Sequence, residues 1–321
     1  MVENENKKHN CSGDCNNCEE NCIGHNNCSG DCNNCKANCS SNASCNGDCN
    51  NCGEQCSGHK QNFLAKLNEF SHIKKIIGVV SGKGGVGKSF VSSLLAVSLA
   101  QRGLNVGIMD ADITGPSIAK TFGVKEKAYG HNNLIMPYVT DMLGIKIISA
   151  NMMLENEDDP IIWRGSLISN LVKQFYSDVL WGELDVLVID MPPGTGDVAL
   201  TTFQSIPLDG IVMVTTPQDL VSMIVAKTCK MADMMNIKML GVVENMAFVE
   251  CPNCGERIYM YGESNTLEMI KPFNLDLLAS LPINPHLTKL VNDGLIEHYE
   301  GNYLSKVVDL ILKDIDLTDA D

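Results

Sequence analysis

The chain has 321 residues and a formal net charge of −15, a length that suits one large α/β domain with an extension. So acidic a chain repels nucleic acid and anionic membranes, and the pairs Lys7-Lys8 and Lys74-Lys75 are too short to form a basic patch. The sequence has no apolar run of about 18 residues, the length that a membrane-spanning helix needs. Its first residues, Met1 to Asn6, are polar and acidic rather than signal-like. We therefore expect a cytoplasmic protein that binds neither nucleic acid nor membrane.

The N-terminal part of the chain is a cysteine repeat. Residues 11–56 hold three copies of C-x3-C-x2-C-x3-C with a period of 17 residues. Their cysteines are Cys11, Cys15, Cys18, Cys22, Cys28, Cys32, Cys35, Cys39, Cys45, Cys49, Cys52 and Cys56. Because the residues between them are almost all small or polar, the segment cannot bury a core without a ligand. We predict that residues 1–60 are a separate cysteine-rich extension, either metal-dependent or disordered.

Four interpretations of these repeats are open. Four thiolates per copy suit one 4Fe–4S cluster, used for iron–sulfur binding or iron delivery, or one Zn²⁺ in metallothionein-like storage. A low-complexity tail without a fixed ligand is a third interpretation. A disulfide scaffold is the fourth, and a reducing compartment disfavours it. We favour iron–sulfur binding, with the metal supplying the folding free energy.

Residues 61–321 have the pattern of a globular α/β domain. The spacing of Phe63, Leu64, Leu67 and Phe70 predicts a short amphipathic helix over residues 61–72. Further along the chain, strands are predicted at 75–80, 105–109, 145–149, 185–190, 210–215, 238–244 and 277–281. Short apolar strands that alternate with helices are typical of a mostly parallel sheet with helices on both faces. We therefore predict an α/β fold of that kind.

A glycine-rich loop follows the first predicted strand. The stretch Ser81–Ser89 contains G-x-x-x-x-G-K-S, with an apolar strand before it and a helix after it, which is the pattern of a P-loop. Glycines let backbone N–H groups surround a phosphate, while Lys88 reaches the β- and γ-phosphates and Ser89 holds Mg²⁺. The sequence thus predicts binding of ATP with Mg²⁺. The predicted nucleotide-binding residues of the loop are Gly82, Lys83, Gly84, Gly85, Val86, Gly87, Lys88 and Ser89.

Two further strands end in carboxylates, and the ends of parallel strands are where chemistry collects. The strand that ends at Asp190 is followed by a Pro- and Gly-rich segment, which predicts the Walker B aspartate that holds Mg²⁺ or its water shell. The strand at 105–109 is followed by Asp110-Ala111-Asp112. From the residues alone, Asp112 either caps the turn that follows or positions the attacking water.

The last motif is Cys251-Pro252-Asn253-Cys254. A C-x2-C turn places two thiolates on one metal, but a four-ligand site needs two more, and residues 61–321 contain no second C-x2-C. Two copies of the chain that meet at a twofold axis would supply four. A redox dithiol and half of a zinc ribbon are the alternatives. Cys229 lies in a predicted helix and is expected to be a core thiol.

The combination of these motifs resembles a known family. The form K-G-G-x-G-K-S is similar to the deviant Walker A loop of the MinD/ParA superfamily. Five segments together resemble the Mrp/ApbC-type iron–sulfur cluster carrier ATPases: Asp110–Ser117, Trp163–Gly165, Asp190–Asp197, Thr215–Gln218 and Val243–Met246. The resemblance extends from residue 75 to about residue 300.

The resemblance implies an ATPase homodimer with a 4Fe–4S cluster bridging the Cys251 and Cys254 thiolates of both chains, and transfer of that cluster to apo iron–sulfur proteins. It implies that Lys83 reaches the partner's nucleotide, that Asp112 positions water and that Asn245 contacts adenine. The expected catalytic residues are then Lys83, Lys88, Asp112 and Asp190.

The extension departs from the family, because the eukaryotic-type scaffolds carry a single four-cysteine cluster of different spacing there. Further Fe–S or Zn in the repeats is therefore an expectation. The alternative function is a metal-storage protein in which the P-loop only senses nucleotide. DNA-segregation and membrane-cycling ATPases of the same superfamily need basic surfaces that this chain lacks, and neither uses the cysteines.

Overall fold

The computed structural model describes residues 64–113, 115–153, 165–194, 196–217, 221–262, 264–313 and 315, with the backbone alone at 165, 166, 197, 221, 222 and 224. The predicted cysteine-rich extension, residues 1–60, lies outside these ranges, and so do Trp163-Arg164 and the single motif residues Thr114, Thr195 and Gln218.

The strands and helices of the described region alternate along the chain. The strands are β1 (His72–Ser81), β2 (Val106–Asp110), β3 (Tyr129–His131), β4 (Leu134–Met136), β5 (Tyr138–Val139), β6 (Lys146–Ile148), β7 (Glu183–Asp190), β8 (Gly210–Thr215), β9 (Met239–Glu244), β10 (Val249–Glu250), β11 (Arg257–Ile258) and β12 (Leu277–Ser280). The helices are α1 (Lys88–Ala100), α2 (Ile118–Thr121), α3 (Gly165–Ser177), α4 (Asp197–Ser205), α5 (Val221–Met235), α6 (Thr266–Ile270), α7 (Pro285–Asn292) and α8 (Ser305–Leu312). Short 3-10 helices lie at Ala150–Met153, Lys271–Phe273 and Ile296–His298.

Eight strands form one sheet in the order β12-β9-β8-β1-β7-β2-β6-β5. Every neighbouring pair is parallel except β5 with β6, which is antiparallel at the edge. All seven predicted strands are present in this sheet, as β1, β2, β6, β7, β8, β9 and β12. The antiparallel pairs β3–β4 and β10–β11 lie outside it.

The sheet is buried on both faces. Every residue of β2 and β8 is buried, as are the last five residues of β7. Strands without a polar face require cover from both sides, which helices supply in a parallel sheet. The helix α1 packs against β1, β2 and β7 and also against α8, while α3 packs against α4. The predicted α/β fold with a mostly parallel sheet and helices on both faces is thus confirmed.

The amphipathic helix predicted over residues 61–72 is wrong for the part that the structure describes. Residues 64–71 are irregular, and His72 already belongs to β1. The backbone N–H of Ala65 donates to the Ser205 carbonyl at 2.7 Å, and the side chain of Asn68 donates to the Ser177 and Val179 carbonyls. These tertiary hydrogen bonds hold the segment against the domain in an irregular conformation, which local apolar spacing could not reveal.

Within the described residues, no helix combines the length and the apolar character that crossing a bilayer requires.

Candidate functional site

The glycine-rich loop connects β1 to α1, beginning after Ser81 and ending at Lys88, the first residue of α1. Gly85 and Gly87 are in the left-handed region, with φ of 81° and 80°. A Cβ atom on Gly87 would clash with Nδ2 of Asn245, so any side chain there must displace that buried amide group. Backbone conformation and close approach therefore both require glycine at position 87.

Four of the predicted site residues meet at the start of α1. The Nζ atom of Lys88 lies 2.7 Å from Oδ1 of Asp190 and 3.7 Å from Oδ2 of Asp112. The Ser89 hydroxyl donates to Oδ2 of Asp190 at 2.5 Å. Lys88 is 6% exposed and Asp190 is 0% exposed, so this ion pair is shielded from water. A lysine, a hydroxyl and a carboxylate in this arrangement are the groups with which P-loop proteins hold nucleotide phosphates and Mg²⁺.

A further residue of α1, Ser92, orients the Asp190 carboxylate. Its hydroxyl donates to Oδ1 of Asp190 at 2.7 Å and lies 3.1 Å from the carbonyl oxygen of Lys88. The motif did not point to Ser92, although its spacing of three residues from Ser89 places both hydroxyls on one helix face. The structure thus shows that two serines of the helix hold the same carboxylate.

Asp110 is a second residue that the sequence reasoning did not assign. It is fully buried at the end of β2, and its Oδ2 accepts from the backbone N–H groups of Ser117 and Ile118 at 3.0 and 3.2 Å. The same oxygen accepts from the Ser149 hydroxyl at 3.1 Å, and Oδ1 accepts from the N–H of Asp112 at 3.1 Å. Asp110 therefore fixes the loop that carries Asp112.

The position of Asp110 also shapes the charge of the site. It lies directly across from Asp190 in the parallel pairing of β2 with β7. Burial raises the pKa of Asp110 to about 7, and repulsion from Asp190 adds to this, while the Lys88 cation opposes it. The buried carboxylates of Asp110 and Asp190 thus repel each other, and the ammonium group of Lys88 attracts both.

The two lysines of the loop have different environments. Lys88 is buried in the ion pair, whereas Lys83 is exposed. The Lys83 carbonyl accepts from the Ser81 hydroxyl at 2.9 Å, which steadies the first half of the loop. The structure therefore places Lys83 at the surface of the loop.

The predicted adenine contact, Asn245, touches the P-loop directly. Asn245 is 4% exposed and follows the last residue of β9. Its Nδ2 donates to the carbonyl oxygen of Val86 at 3.0 Å, and its backbone N–H donates to the Thr215 carbonyl at 2.8 Å. The end of β9 is thereby joined both to the loop and to the end of β8.

The C-x2-C motif forms the tip of a small hairpin. Strands β10 and β11 pair antiparallel, and the Cys251 N–H donates to the Glu256 carbonyl at 2.9 Å. The turn closes with a hydrogen bond from the Gly255 N–H to the Cys251 carbonyl at 2.8 Å, and Gly255 has φ of 74°. At the base, the Arg257 guanidinium lies 4.3 Å from the centroid of the buried Phe248 ring.

The hairpin favours the thiolate form of one cysteine. The backbone N–H of Asn253 and then that of Cys254 lower the pKa of the Cys251 thiol, and a hydrogen bond with the Cys254 side chain acts in the same direction. A turn that donates N–H groups to a sulfur atom stabilises the charged form that binds metals. The local structure therefore favours the thiolate form of Cys251, which is the form that soft metals bind.

This hairpin brings only two metal-binding groups together. Among the residues that the structure describes, no group of three or more His, Cys, Asp or Glu side chains is placed to hold a metal ion. Cys229 is elsewhere, on α5, where it is partly buried and packs against the core as expected. Burial, followed by the charge of Asp233, raises the pKa of the Cys229 thiol. One chain therefore provides a two-thiol site at residues 251–254.

Comparison with known proteins gives consistent matches over the described domain. The family model described as ParA, NUBPL iron-transfer P-loop NTPase, matches residues 72–315. A protein of Clostridium perfringens named iron-sulfur cluster carrier protein is 47% identical over 244 residues, which cover 73% of this chain and 85% of that protein. A protein of Saccharolobus solfataricus with the same name is 44% identical, over 70% of this chain and 77% of that one.

Solved structures agree. A nucleotide-binding protein from Archaeoglobus fulgidus, in complex with ADP and with cobalt found by PIXE, is 44% identical with a TM-score of 0.66, over 72% of this chain and 90% of that chain. The cell division ATPase MinD of Pyrococcus furiosus is 20% identical, with a TM-score of 0.54 over 75% of this chain and 99% of that one. The second similarity concerns the fold alone.

Proposed function

The chain belongs to the NUBPL iron-transfer family of ParA-type P-loop NTPases, and from this premise we propose that it binds and hydrolyses ATP and carries a 4Fe–4S cluster to apo iron–sulfur proteins. The observation that carries the proposal is the occurrence, in one domain, of a P-loop ion pair between Lys88 and Asp190 and a two-thiol hairpin at Cys251 and Cys254. Relatives that are 44–47% identical are named iron-sulfur cluster carrier proteins.

In the nucleotide half of the proposed activity, the Lys88 ammonium group exchanges its ion pair with Asp190 for contacts with the phosphates of ATP. That carboxylate, with the Ser89 hydroxyl, then holds Mg²⁺ or its water shell. Lys88 Nζ lies 2.7 Å from Asp190 and 3.7 Å from Asp112, so a γ-phosphate that contacts Lys88 also lies near Asp112. Asp112 positions the attacking water, Lys83 reaches the nucleotide of the partner chain, and Asn245 contacts the adenine.

In the cluster half, the cargo is shared by two copies of the chain. Cys251 and Cys254 supply two thiolates, and a four-ligand cluster needs two more, which the second copy brings through the same residues. An exposed apolar run beside the hairpin supports a protein contact there, because contact removes it from water. Its members are Ile258, Tyr259, Met260 and Tyr261, which are 41–62% exposed.

For the N-terminal repeats, the proposal is that residues 1–60 form a separate extension in which each four-cysteine copy holds one Fe–S cluster or Zn²⁺. The support is the sequence pattern: four thiolates per copy in a segment with almost no apolar side chains. The role proposed for the extension is delivery of iron to the body or storage of it.

The test of this function uses the full chain reconstituted anaerobically with iron and sulfide. The variant Cys251→Ala/Cys254→Ala is compared with Cys229→Ala, which removes a thiol of the core instead. The double variant should lose about four iron atoms per two chains, should fail to deliver a cluster to an apo-ferredoxin and should still bind ATP. Cys229→Ala should keep the full iron content, deliver the cluster and bind ATP.

Two results would count against the proposal. Transfer by the double variant at the parent rate would show that the hairpin is not the carrier site. Binding of ATP without any measurable hydrolysis would favour the alternative of a metal-storage protein that only senses nucleotide.

A further inference from the structure

A buried carboxylate lies at the end of β9, where the chain contacts the nucleotide loop before it forms the thiol hairpin. Glu244, the last residue of β9, is 1% exposed. Its Oε1 atom accepts hydrogen bonds from the hydroxyl groups of Ser264 and Thr266. The Ser264 oxygen also accepts from the backbone N–H of Thr266 at 3.1 Å, so the two donors are locked together. A carboxylate this deeply buried depends on such donors, because an unpaired one is costly.

These hydroxyl groups lie on the chain as it returns from the hairpin. The chain leaves β9 at Glu244, forms β10 and β11 with the two thiols between them, and comes back to the same carboxylate at Ser264 and Thr266. The Glu244 side chain therefore closes the base of a loop that contains both cysteines.

The outgoing side of this loop is fixed by different contacts. The Ala247 N–H donates to the Leu281 carbonyl at 2.9 Å, and the Ile283 N–H donates to the Phe248 carbonyl at 2.7 Å. Both bonds tie the start of the loop to the chain just beyond β12. The Glu244 carboxylate therefore holds only the returning side of the loop, and loss of its hydrogen bonds leaves the outgoing side attached.

On its other side, Glu244 is adjacent in the chain to Asn245, which contacts the nucleotide loop. Asn245 donates from Nδ2 to the Val86 carbonyl and from its backbone to the Thr215 carbonyl. Val86 lies inside the P-loop, directly before Gly87. A change in the P-loop on nucleotide binding therefore acts first on Asn245, through its hydrogen bond to Val86, and then on the adjacent Glu244.

We propose that Glu244 is the positioning residue that couples nucleotide occupancy to the conformation of the turn that holds Cys251 and Cys254. The inference rests on the proposed function and deepens it, since it names the contact through which ATP alters the thiol hairpin. Coupling requires an element that both sites bias, and the loop closed by Glu244 contacts both. No proton transfer is involved, because the role depends on the hydrogen bonds that the carboxylate accepts.

The test measures how strongly Mg-ATP changes the alkylation rate of Cys251 by iodoacetamide in the full chain, followed by peptide mass spectrometry. Wild type should show a change of about fivefold or more. The variant Ser264→Ala/Thr266→Val removes both donors and should reduce the ratio to about one, while ATP affinity stays within about twofold. Ser264→Ala alone, the milder variant, should give an intermediate ratio.

Two controls separate coupling from mere stability. Glu244→Gln keeps an oxygen that accepts from both hydroxyls and should retain the wild-type ratio. Ser205→Ala removes a buried hydroxyl that has no hydrogen-bond partner among the residues that the structure describes, and this variant should also retain the wild-type ratio. In the nucleotide-free variant without the two donors, hydrogen exchange should quicken at residues 264–266, which lose their contact with Glu244, and stay at the wild-type rate in β10 and β11. Faster exchange in β10 and β11 would reduce Glu244 to a stabilising residue and overturn the inference.

A wild-type ratio that persists in the donor-less variant would also overturn it. The same holds for a wild-type ratio of one in a protein that binds ATP and loads iron at the hairpin, a result that leaves the proposed function standing. A wild-type chain that neither binds ATP nor loads iron would instead remove the proposed function and this inference together.

Discussion

The nucleotide loop and the thiol hairpin are built in opposite ways. At the nucleotide loop, Lys88 and Asp190 are 6% and 0% exposed and form their ion pair within one chain. At the hairpin, Cys254 is exposed, and two short strands bring only two thiols together. The first site is held by the ends of three neighbouring strands and a helix, whereas the second projects from the end of one strand.

The difference shows how each site is completed. A cluster of charges inside a parallel sheet needs every partner within the fold, because an unpaired buried charge is costly. A two-thiol turn at the surface can receive its remaining ligands from another molecule. The proposed function therefore joins a nucleotide site whose buried charges are paired within one chain to a metal site that needs a second copy, and the predictions below test that contrast.

The largest effect is expected for Lys88→Ala. It removes the main cation for the β- and γ-phosphates, and it also leaves the buried Asp190 without its ion-pair partner. We expect ATP affinity to fall by about 100-fold or more and stability to fall by about 3–5 kcal/mol, measured by titration calorimetry and denaturant unfolding.

Lys83→Ala is the matched control, because Lys83 is an exposed lysine of the same loop. It should leave stability unchanged and reduce hydrolysis more than binding. An unchanged ATP affinity in Lys88→Ala would refute the assignment of the nucleotide site.

A smaller effect is expected for Gly87→Ala. The added Cβ clashes with Nδ2 of Asn245, in a left-handed conformation that alanine disfavours. We expect a loss of about 1–3 kcal/mol in stability, together with weaker ATP binding. Gly84→Ala is the control, since a Cβ there meets nothing within 4 Å. Equal stability of the two variants would show that the loop is not packed as described.

The smallest effect concerns the thiols. The pKa of Cys251 is lowered by backbone N–H groups, and that of Cys229 is raised by burial. Because the thiolate is the reactive form, the alkylation rate of Cys251 should rise to half its maximum at a lower pH than that of Cys229. Peptide mass spectrometry of the apo chain across a pH series measures both midpoints in one sample. The reverse order would contradict the hairpin geometry.

Much of the fold was predictable because its signals are local. Each apolar run that the sequence assigns to the sheet is a strand there, and the pattern that starts at Gly82 links β1 to the first two residues of α1, Lys88 and Ser89. The meeting of Lys88, Asp112 and Asp190 was also foreseeable, since carboxyl ends of parallel strands lie at one edge. The roles proposed for these residues stay predictions.

Other features depend on which segments become neighbours, and local sequence does not encode that. The roles of Asp110 and Ser92 arise because β7 lies next to both β2 and α1. The contacts of Glu244 join residues about twenty positions apart. The helix predicted over residues 61–72 failed for the same reason, because distant carbonyl groups hold Ala65 and Asn68.

The central claim is that the hairpin site is completed by a second copy of the chain. The most direct measurement is native mass spectrometry of the reconstituted full chain with its N-terminal cysteines replaced by serine, alongside the same chain carrying Cys251→Ala/Cys254→Ala. The account predicts a dimer with one 4Fe–4S cluster in the first sample and no cluster in the second. A cluster on a monomer, or one cluster on each chain of a dimer, would contradict it.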